Sequence, residues 1–255
     1  MKLSGKFRSR VLAQEWLIGT WLNLGSPVTA ELAGLVGFDW VLLDHEHGPG
    51  GEDTMLHQLQ AVAATPAVAI VRIAANEPAR FKRALDMGAQ GVMVPFVSSV
   101  AEAQATVAAM RYPPRGFRGV AKNHRASGFG ADFEEYYLYA HEWLLTLAQI
   151  ETAEAITNID GIAAVDGIDV LFVGPTDLTY NIGIRDQFDH PEFLGAIQRV
   201  VAAARKHGKA AGILVQNPAL VAKCHEWGFT FVALGSDSGA VRAGLQQSAA
   251  ALRGK

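Results

Sequence analysis

Eight short apolar runs, separated by longer stretches of helical period, constrain what this chain can fold into more than any other feature. The runs are Trp16–Leu22, Phe38–Leu43, Ala67–Arg72, Gly91–Val94, Leu144–Ile150, Asp169–Val173, Ala210–Val215 and Thr230–Leu234. They are apolar throughout instead of alternating, which predicts strands buried on both faces. Between them, Glu77–Met87, Ser98–Met110, Glu151–Ala164 and Pro191–Lys206 have few β-branched breaks and collect polar residues on one side, which predicts helices. Strand then helix, eight times over, is the pattern of an α/β chain folded as a (β/α)8 barrel. Its spacing agrees: His47 to Arg72 is 25 residues and Glu151 to Asp177 is 26, near the length of one unit when ~250 residues make eight. One barrel domain over residues 1–255 is expected. The rival, an open doubly wound sheet, lacks a GxGxxG after the first run.

Composition narrows the partners. Half of the 255 residues are hydrophobic, too many for a disordered chain. A formal charge of −3 and a pI near 6.2 give no general attraction to nucleic acid or acidic membranes. Charged residues, at 18%, are scarce for a soluble monomer, so some surface is expected to be buried between subunits. A lone cysteine, Cys224, excludes an intramolecular disulfide, a Cys-rich zinc site and a CxxC motif, and fits a reducing, cytoplasmic setting. No targeting or membrane segment is expected. Lys2, Lys6, Arg8, Arg10 and Glu15 interrupt any apolar N-terminal core, and the stretch Ala61–Val71 falls short of the roughly 18 residues of a span.

Barrel chemistry sits at the C-terminal ends of strands. There the sequence offers Asp44-His45-Glu46-His47, Arg72, Gln149-Ile150-Glu151, Gly174-Pro175-Thr176-Asp177 and Gly235-Ser236-Asp237. Glu151 and Asp177 leave neighbouring strands at the same end. Without Cys or clustered His, two carboxylates suit a hard cation such as Mg²⁺ or Mn²⁺, or else each favours a helix start. Strand alternation would put His45 and His47 on one face, Asp44 and Glu46 on the other. One histidine is expected as general acid or base; an HxH metal pair of a barrel hydrolase is the alternative. Arg72 closes an apolar strand and would bind a substrate carboxylate or developing oxyanion, or else pair with Asp44 or Glu46. The Gly174-Pro175-Thr176 turn could seat a carboxylate and Gly235-Ser236 a phosphate, though the latter also suits a plain tight turn. None of the lysines (Lys2, Lys6, Lys82, Lys122, Lys206, Lys209, Lys223, Lys255) lies in or ends a strand run, so Schiff-base chemistry is not expected. One unit is stretched by Tyr112–Gly130, whose Gly, Pro and basic residues predict a loop. Its Arg115, Arg118, Lys122, His124 and Arg125 would meet an acidic aldehyde tail, or else form a solvated loop or a subunit contact.

At these residues the chain resembles the HpcH/HpaI family of metal-dependent, pyruvate-specific class II aldolases. The matching words run in order from Gly19-Thr20 to Gly235-Ser236-Asp237. They are Phe38-Asp39-Trp40, Asp44-x-Glu46-His47, Ala84-Leu85-Asp86-x-Gly88-Ala89-Gln90-Gly91, Arg111-Tyr112-Pro113-Pro114-x-Gly116-x-Arg118-Gly119, Gln149-Ile150-Glu151-Thr152 and Gly174-Pro175-x-Asp177-Leu178. The resemblance implies that Glu151 and Asp177 hold a divalent cation (Mg²⁺, Mn²⁺ or Co²⁺). It also implies that His47 is catalytic, that Asp86 pairs with it from a neighbouring subunit, and that Arg72 holds the pyruvyl oxygen. Gln149 and the Gly174, Pro175, Thr176 and Asp177 backbone match groups around the pyruvate carboxylate. The reaction implied joins or splits a 2-oxo acid (pyruvate or hydroxypyruvate) and an aldehyde. A homohexamer is implied too, a trimer of dimers that exchange the last helix. The chain departs from the family at His45, where a small residue is frequent, and at Thr176, where Ala is common. Two other readings share these residues. A citrate lyase β or malyl-CoA-type lyase would use the same chemistry on an acyl-CoA, and a non-catalytic 2-oxo-acid-binding barrel would dispense with His47.

Overall fold

The structure, a computed structural model, describes residues 5–254. In chain order its elements are α1 (Lys6–Leu12), β1 (Leu17–Leu22), α2 (Pro27–Leu35), β2 (Trp40–Asp44), α3 (Glu52–Val62), β3 (Val68–Arg72), α4 (Pro78–Asp86), β4 (Gly91–Val94), α5 (Val100–Met110), α6 (Phe133–Trp143), β5 (Leu145–Ile150), α7 (Ala153–Thr157), α8 (Ile159–Ala164), β6 (Val170–Val173), α9 (Pro175–Asn181), α10 (Pro191–Lys206), β7 (Ala210–Val215), α11 (Val221–Trp227), β8 (Phe231–Ser236) and α12 (Asp237–Leu252). All eight strands pair in parallel and in chain order, and β1 closes on β8, giving a (β/α)8 barrel. Every expected apolar run is a strand. The expected helix over Glu151–Ala164 is two helices, broken at Asn158, whose side chain turns away to donate to Ser98 O at 2.9 Å.

Strand alternation sorts the side chains into two cores. Leu17, Trp21, Trp40, Leu42, Ile70, Met93, Leu147, Phe172 and Phe231 fill the barrel interior. The other parity packs under the helices. Trp40 stacks on Phe231 at 4.1 Å between ring centres. That ring needs Gly19 beside it, since a Cβ there would collide with the indole. At the N-terminal mouth α1 acts as a plug: Phe7 meets Phe231 edge-on, and Arg8 donates twice to Asp169, at 2.8 and 3.0 Å. No helix among the described residues is long and apolar enough to cross a membrane.

The stretched unit follows α5 and precedes β5, so it lies on the N-terminal side of the barrel, away from the strand ends that carry chemistry. Arg115 and Lys122 are exposed, while other basic residues of the segment are tied to the barrel. Arg118 is buried, stacks 4.4 Å over the Tyr112 ring, and donates to Tyr136 Oη and Asp86. Arg125 donates to Met87 O at 2.7 Å. Within one chain this loop cannot reach an aldehyde at the C-terminal mouth.

Candidate active site

Continuing the inward parity past the interior core places Asp44, Arg72, Gln149 and Gly174 around the C-terminal mouth. Arg72 is its centre. Its Nε and Nη2 donate to the two Asp44 oxygens at 3.0 and 2.8 Å, and Nη1 lies 2.8 Å from Glu46 Oε2. The guanidinium also rests 4.3 Å over the Trp21 ring. Burial alone would raise the Asp44 carboxyl. The paired Arg72, with the backbone N–H groups of His47 and Glu46, outweighs it and holds Asp44 below the usual range. Glu46 goes the other way: burial pushes it up further than Arg72 draws it down. Asp44 and Glu46 thus share a face, as alternation predicts.

The histidines do not share a face. The strand ends at Asp44 and the chain turns, so His45 goes under α3, where its Nε2 meets Gln58 Oε1 at 3.3 Å. Burial there lowers the His45 pKa. His47 stands at the rim with its side chain 68% exposed, 3.9 Å from Glu46 Oε1. An HxH metal pair is therefore ruled out by geometry.

Glu151 lies one residue past β5 and is 1% exposed. Its Oε1 accepts the Phe96 N–H at 2.8 Å, while Oε2 is buried without a hydrogen-bond partner. Burial first, then the charges of Asp177 and Glu46, push the carboxyl up to about 7 against that N–H and Arg72. A buried carboxylate that tends to keep its proton is the state a cation relieves. Gln149 Oε1, two residues back on the same face, is likewise buried and unpartnered. Gly174 lets both approach: a Cβ there would collide with Glu151 Oε2 and lie 3.0 Å from Gln149 Nε2. Asp177, exposed, sits in the first turn of α9 and interacts with Glu151. Neither acid is a helix cap, because Thr152 caps α7 and Gly174 is the N-cap of α9. Among the described residues no three His, Cys, Asp or Glu gather as a complete cage. Two carboxylates, one with an orphan oxygen, still fit a hard cation that keeps waters.

At the start of α9, Gly174 N–H is spent on Ile150 O and Pro175 has none. The N–H groups of Thr176 and Asp177, in the helix's first turn, have no intrahelical acceptor and so suit an anion. Ser236 offers less to a phosphate, because its Oγ already accepts the Gly239 N–H as the cap of α12. Asp86 ends α4 beside the start of β3 and β4, at the opposite end of the barrel from His47. There it accepts from Arg118 at 2.7 Å, with His124 Nε2 3.8 Å away. The two cannot meet within one chain.

Three residues at the mouth escape a sequence reading. Phe96 holds a positive φ of 52°, a strained conformation that aims its N–H at Glu151; nothing in the sequence signals it. Trp21 and Asn23 continue the inward parity of β1, a signal that the sequence does carry. Among the described residues, the buried unpartnered side-chain atoms Trp21 Nε1, Asn23 Oδ1, Gln149 Oε1 and Glu151 Oε2 all lie at this mouth. Folded proteins leave few such atoms. Their convergence marks a place where a ligand completes the hydrogen bonding.

Comparison with known proteins points the same way. The chain is 43% identical over 244 residues to the 5-keto-4-deoxy-D-glucarate aldolase of Salmonella paratyphi C, covering 96% of this chain and 95% of that one. The fold superposes with a TM-score of 0.94 on an HpcH/HpaI aldolase/citrate lyase family protein from Burkholderia cenocepacia, 34% identical, covering 98% of this chain and all of the other. An HpcH/HpaI aldolase from Desulfitobacterium hafniense gives 0.88 at 28% identity, with 96% of each chain covered. The family model for HpcH/HpaI aldolase/citrate lyase matches residues 17–243, from the first strand into the last helix, and the chain belongs to that family.

Proposed function

We propose that the chain is a divalent-cation-dependent aldolase. It splits a 4-hydroxy-2-oxo acid into pyruvate (or hydroxypyruvate) and an aldehyde, and runs the same step in reverse. The observation that carries this reading is the buried, unpartnered Glu151 Oε2 beside Asp177, Gln149 and Arg72 at the catalytic end of the barrel. The aldolases among its relatives support the reaction class.

A cation such as Mg²⁺, Mn²⁺ or Co²⁺ held by Glu151 and Asp177 supplies Lewis acidity at the 2-oxo group. The protein does the rest. Thr176 and Asp177 N–H groups receive the substrate carboxylate, with Gln149 beside them. Of the five Arg72 N–H donors, three are turned to Asp44 and Glu46. The two that remain donate to the 2-oxo oxygen as negative charge grows there. Because Asp44 and Glu46 fix the guanidinium in advance, this stabilisation costs no reorganisation. In cleavage, His47 takes the proton of the 4-hydroxyl, oriented by Asp86 of a neighbouring subunit. The C3–C4 pair flows into the 2-oxo group, the aldehyde leaves, and the proton that His47 took is returned to C3 of the enolate.

The test is direct. Protein loaded with Mn²⁺ is incubated with pyruvate or hydroxypyruvate and a panel of aldehydes, and products are read by mass spectrometry. New 4-hydroxy-2-oxo acids are expected, with EDTA abolishing them and Mn²⁺, Co²⁺ or Mg²⁺ restoring them. Absence of any carbon–carbon bond formation across the panel overturns the aldolase, and EDTA-insensitive turnover overturns the cation.

A further inference from the structure

Two of the orphaned atoms at the mouth have no part in the scheme above. Trp21 Nε1 is a buried donor with no acceptor and Asn23 Oδ1 a buried acceptor with no donor. Trp21 lies in β1 and faces the barrel interior, and Asn23 is the first residue after that strand, at the same mouth. Both are held in place. The Trp21 ring, 7% exposed, lies under the Arg72 guanidinium at 4.3 Å and against Phe172 at 6.1 Å. Asn23 is fixed through its backbone N–H, which donates to Asp237 Oδ1 at 2.9 Å, while Asp237 Oδ2 accepts from Thr29 at 2.8 Å. The loop that carries His47 crosses directly over it: a Cβ on Gly48 would come within 3.6 Å of Asn23 Cα. A register shift between β1 and β8 falls between Gly19 and Trp21, the kind of irregularity that re-aims side chains beside active sites.

We propose that Trp21 and Asn23 are the residues of this chain that read a hydroxyl of the aldehyde partner; the proposal rests on the aldolase reading above. A hydroxyl on the substrate can accept from an indole N–H and donate to an amide oxygen at once. An alkyl chain in the same place leaves both atoms buried and unpaired. A site with buried hydrogen-bonding groups rejects an analogue lacking the matching hydroxyl more strongly than an apolar pocket rejects an added one. Contact with Arg72 places the subsite against the reacting carbons, on the side of the mouth away from Glu151 and Asp177.

Glycolaldehyde and propanal are near-isosteres differing in that hydroxyl, and kcat/KM for each is measured with saturating pyruvate and Mn²⁺. Wild-type protein is expected to favour glycolaldehyde at least tenfold. Asn23→Ala and Trp21→Phe are each expected to lower the glycolaldehyde-to-propanal ratio about tenfold, the usual scale for one lost hydrogen bond. Trp21→Phe keeps the ring on Arg72 and Phe172 while removing the N–H. The ratio is internal to each variant, so a partly misfolded preparation does not shift it. A ratio within twofold of wild type in both variants, or a wild type without the preference, overturns the subsite and leaves the aldolase standing. A wild type that joins pyruvate to neither aldehyde overturns the aldolase and the subsite with it.

Discussion

Arg72 and Glu151 carry opposite kinds of tension, and each has its own consequence. Arg72 neutralises two acids in a buried cluster, so its removal strands Asp44 and Glu46 as well as the developing charge of the substrate. Arg72→Ala should lower turnover about 10²–10³-fold. It should also cost about 3–5 kcal/mol of stability, the range for breaking a buried pair, read as a lower urea midpoint. Unchanged turnover would remove Arg72 from the mechanism. Glu151 titrates near 7 because burial and Asp177 disfavour its charge. A folded pKa raised above the unfolded one stabilises fully below the unfolded value, near 4.5, and that stability is lost as pH rises through 7. Cation-free protein is therefore expected to unfold more easily at pH 8 than at pH 5, by about 3 kcal/mol from this group. Binding a cation needs the proton gone, so Mn²⁺ affinity should fall about tenfold per pH unit below 7. Calorimetric titration at pH 6, 7 and 8 reads it, and affinity flat across that range would sink the assignment of Glu151 as a ligand. The acids and Arg72 were legible in the sequence because they end apolar strands. Phe96 was not, since a positive φ leaves no mark on residue type.

At the scale of elements, the strands were legible because burial on both faces demands uninterrupted apolar runs, a pattern no neighbouring contact can mask. The region after α5 was not, because its order comes from long-range bonds such as Arg118 to Asp86 and Arg125 to Met87 O rather than from local propensity. The break between α7 and α8 has the same origin in the Asn158 bond to Ser98 O. The plug α1 shows what such a long-range bond is worth. Asp169 is buried, accepts twice from Arg8, and also accepts the Thr146 N–H at 3.0 Å. Asp169→Ala leaves all of these unpaired at the closed end. A loss of about 2–4 kcal/mol is expected, below the full value for a buried pair because the Arg8 side chain keeps 20% of its exposure. The urea midpoint should drop while turnover per folded molecule, set at the other mouth, stays near wild type. A collapse of turnover without a stability change would contradict the division of the barrel into a closing end and a reacting end.

The whole molecule leaves apolar surface that one chain does not cover. Of the 16 residues of α12 only Asp237 is buried, and Val241, Leu245 and Leu252 stand exposed. Val28, Leu32, Leu35 and Val36 on and beside α2 are equally bare. Such contiguous apolar faces fit subunit contacts, in keeping with the low charged fraction. The proposed pairing of His47 with Asp86 asks for the same thing by a separate route, because the two sit at opposite ends of one barrel and can act together only across chains. Closed symmetry would then repeat the same His47-to-Asp86 contact at every site. That arrangement makes a prediction no single-chain site shares. His47→Ala and Asp86→Ala are each expected to be nearly inactive. Unfolded together in equal amounts and refolded, they should assemble some sites with an intact His47 from one variant and an intact Asp86 from the other. Random pairing gives about a quarter of the wild-type activity, from two proteins that separately have almost none. Sedimentation of the mixture should show an oligomer of the 27.3 kDa chain, six copies if the family's assembly holds. A mixture no more active than its two components would place the partner of His47 within its own chain and leave Asp86 with Arg118 alone.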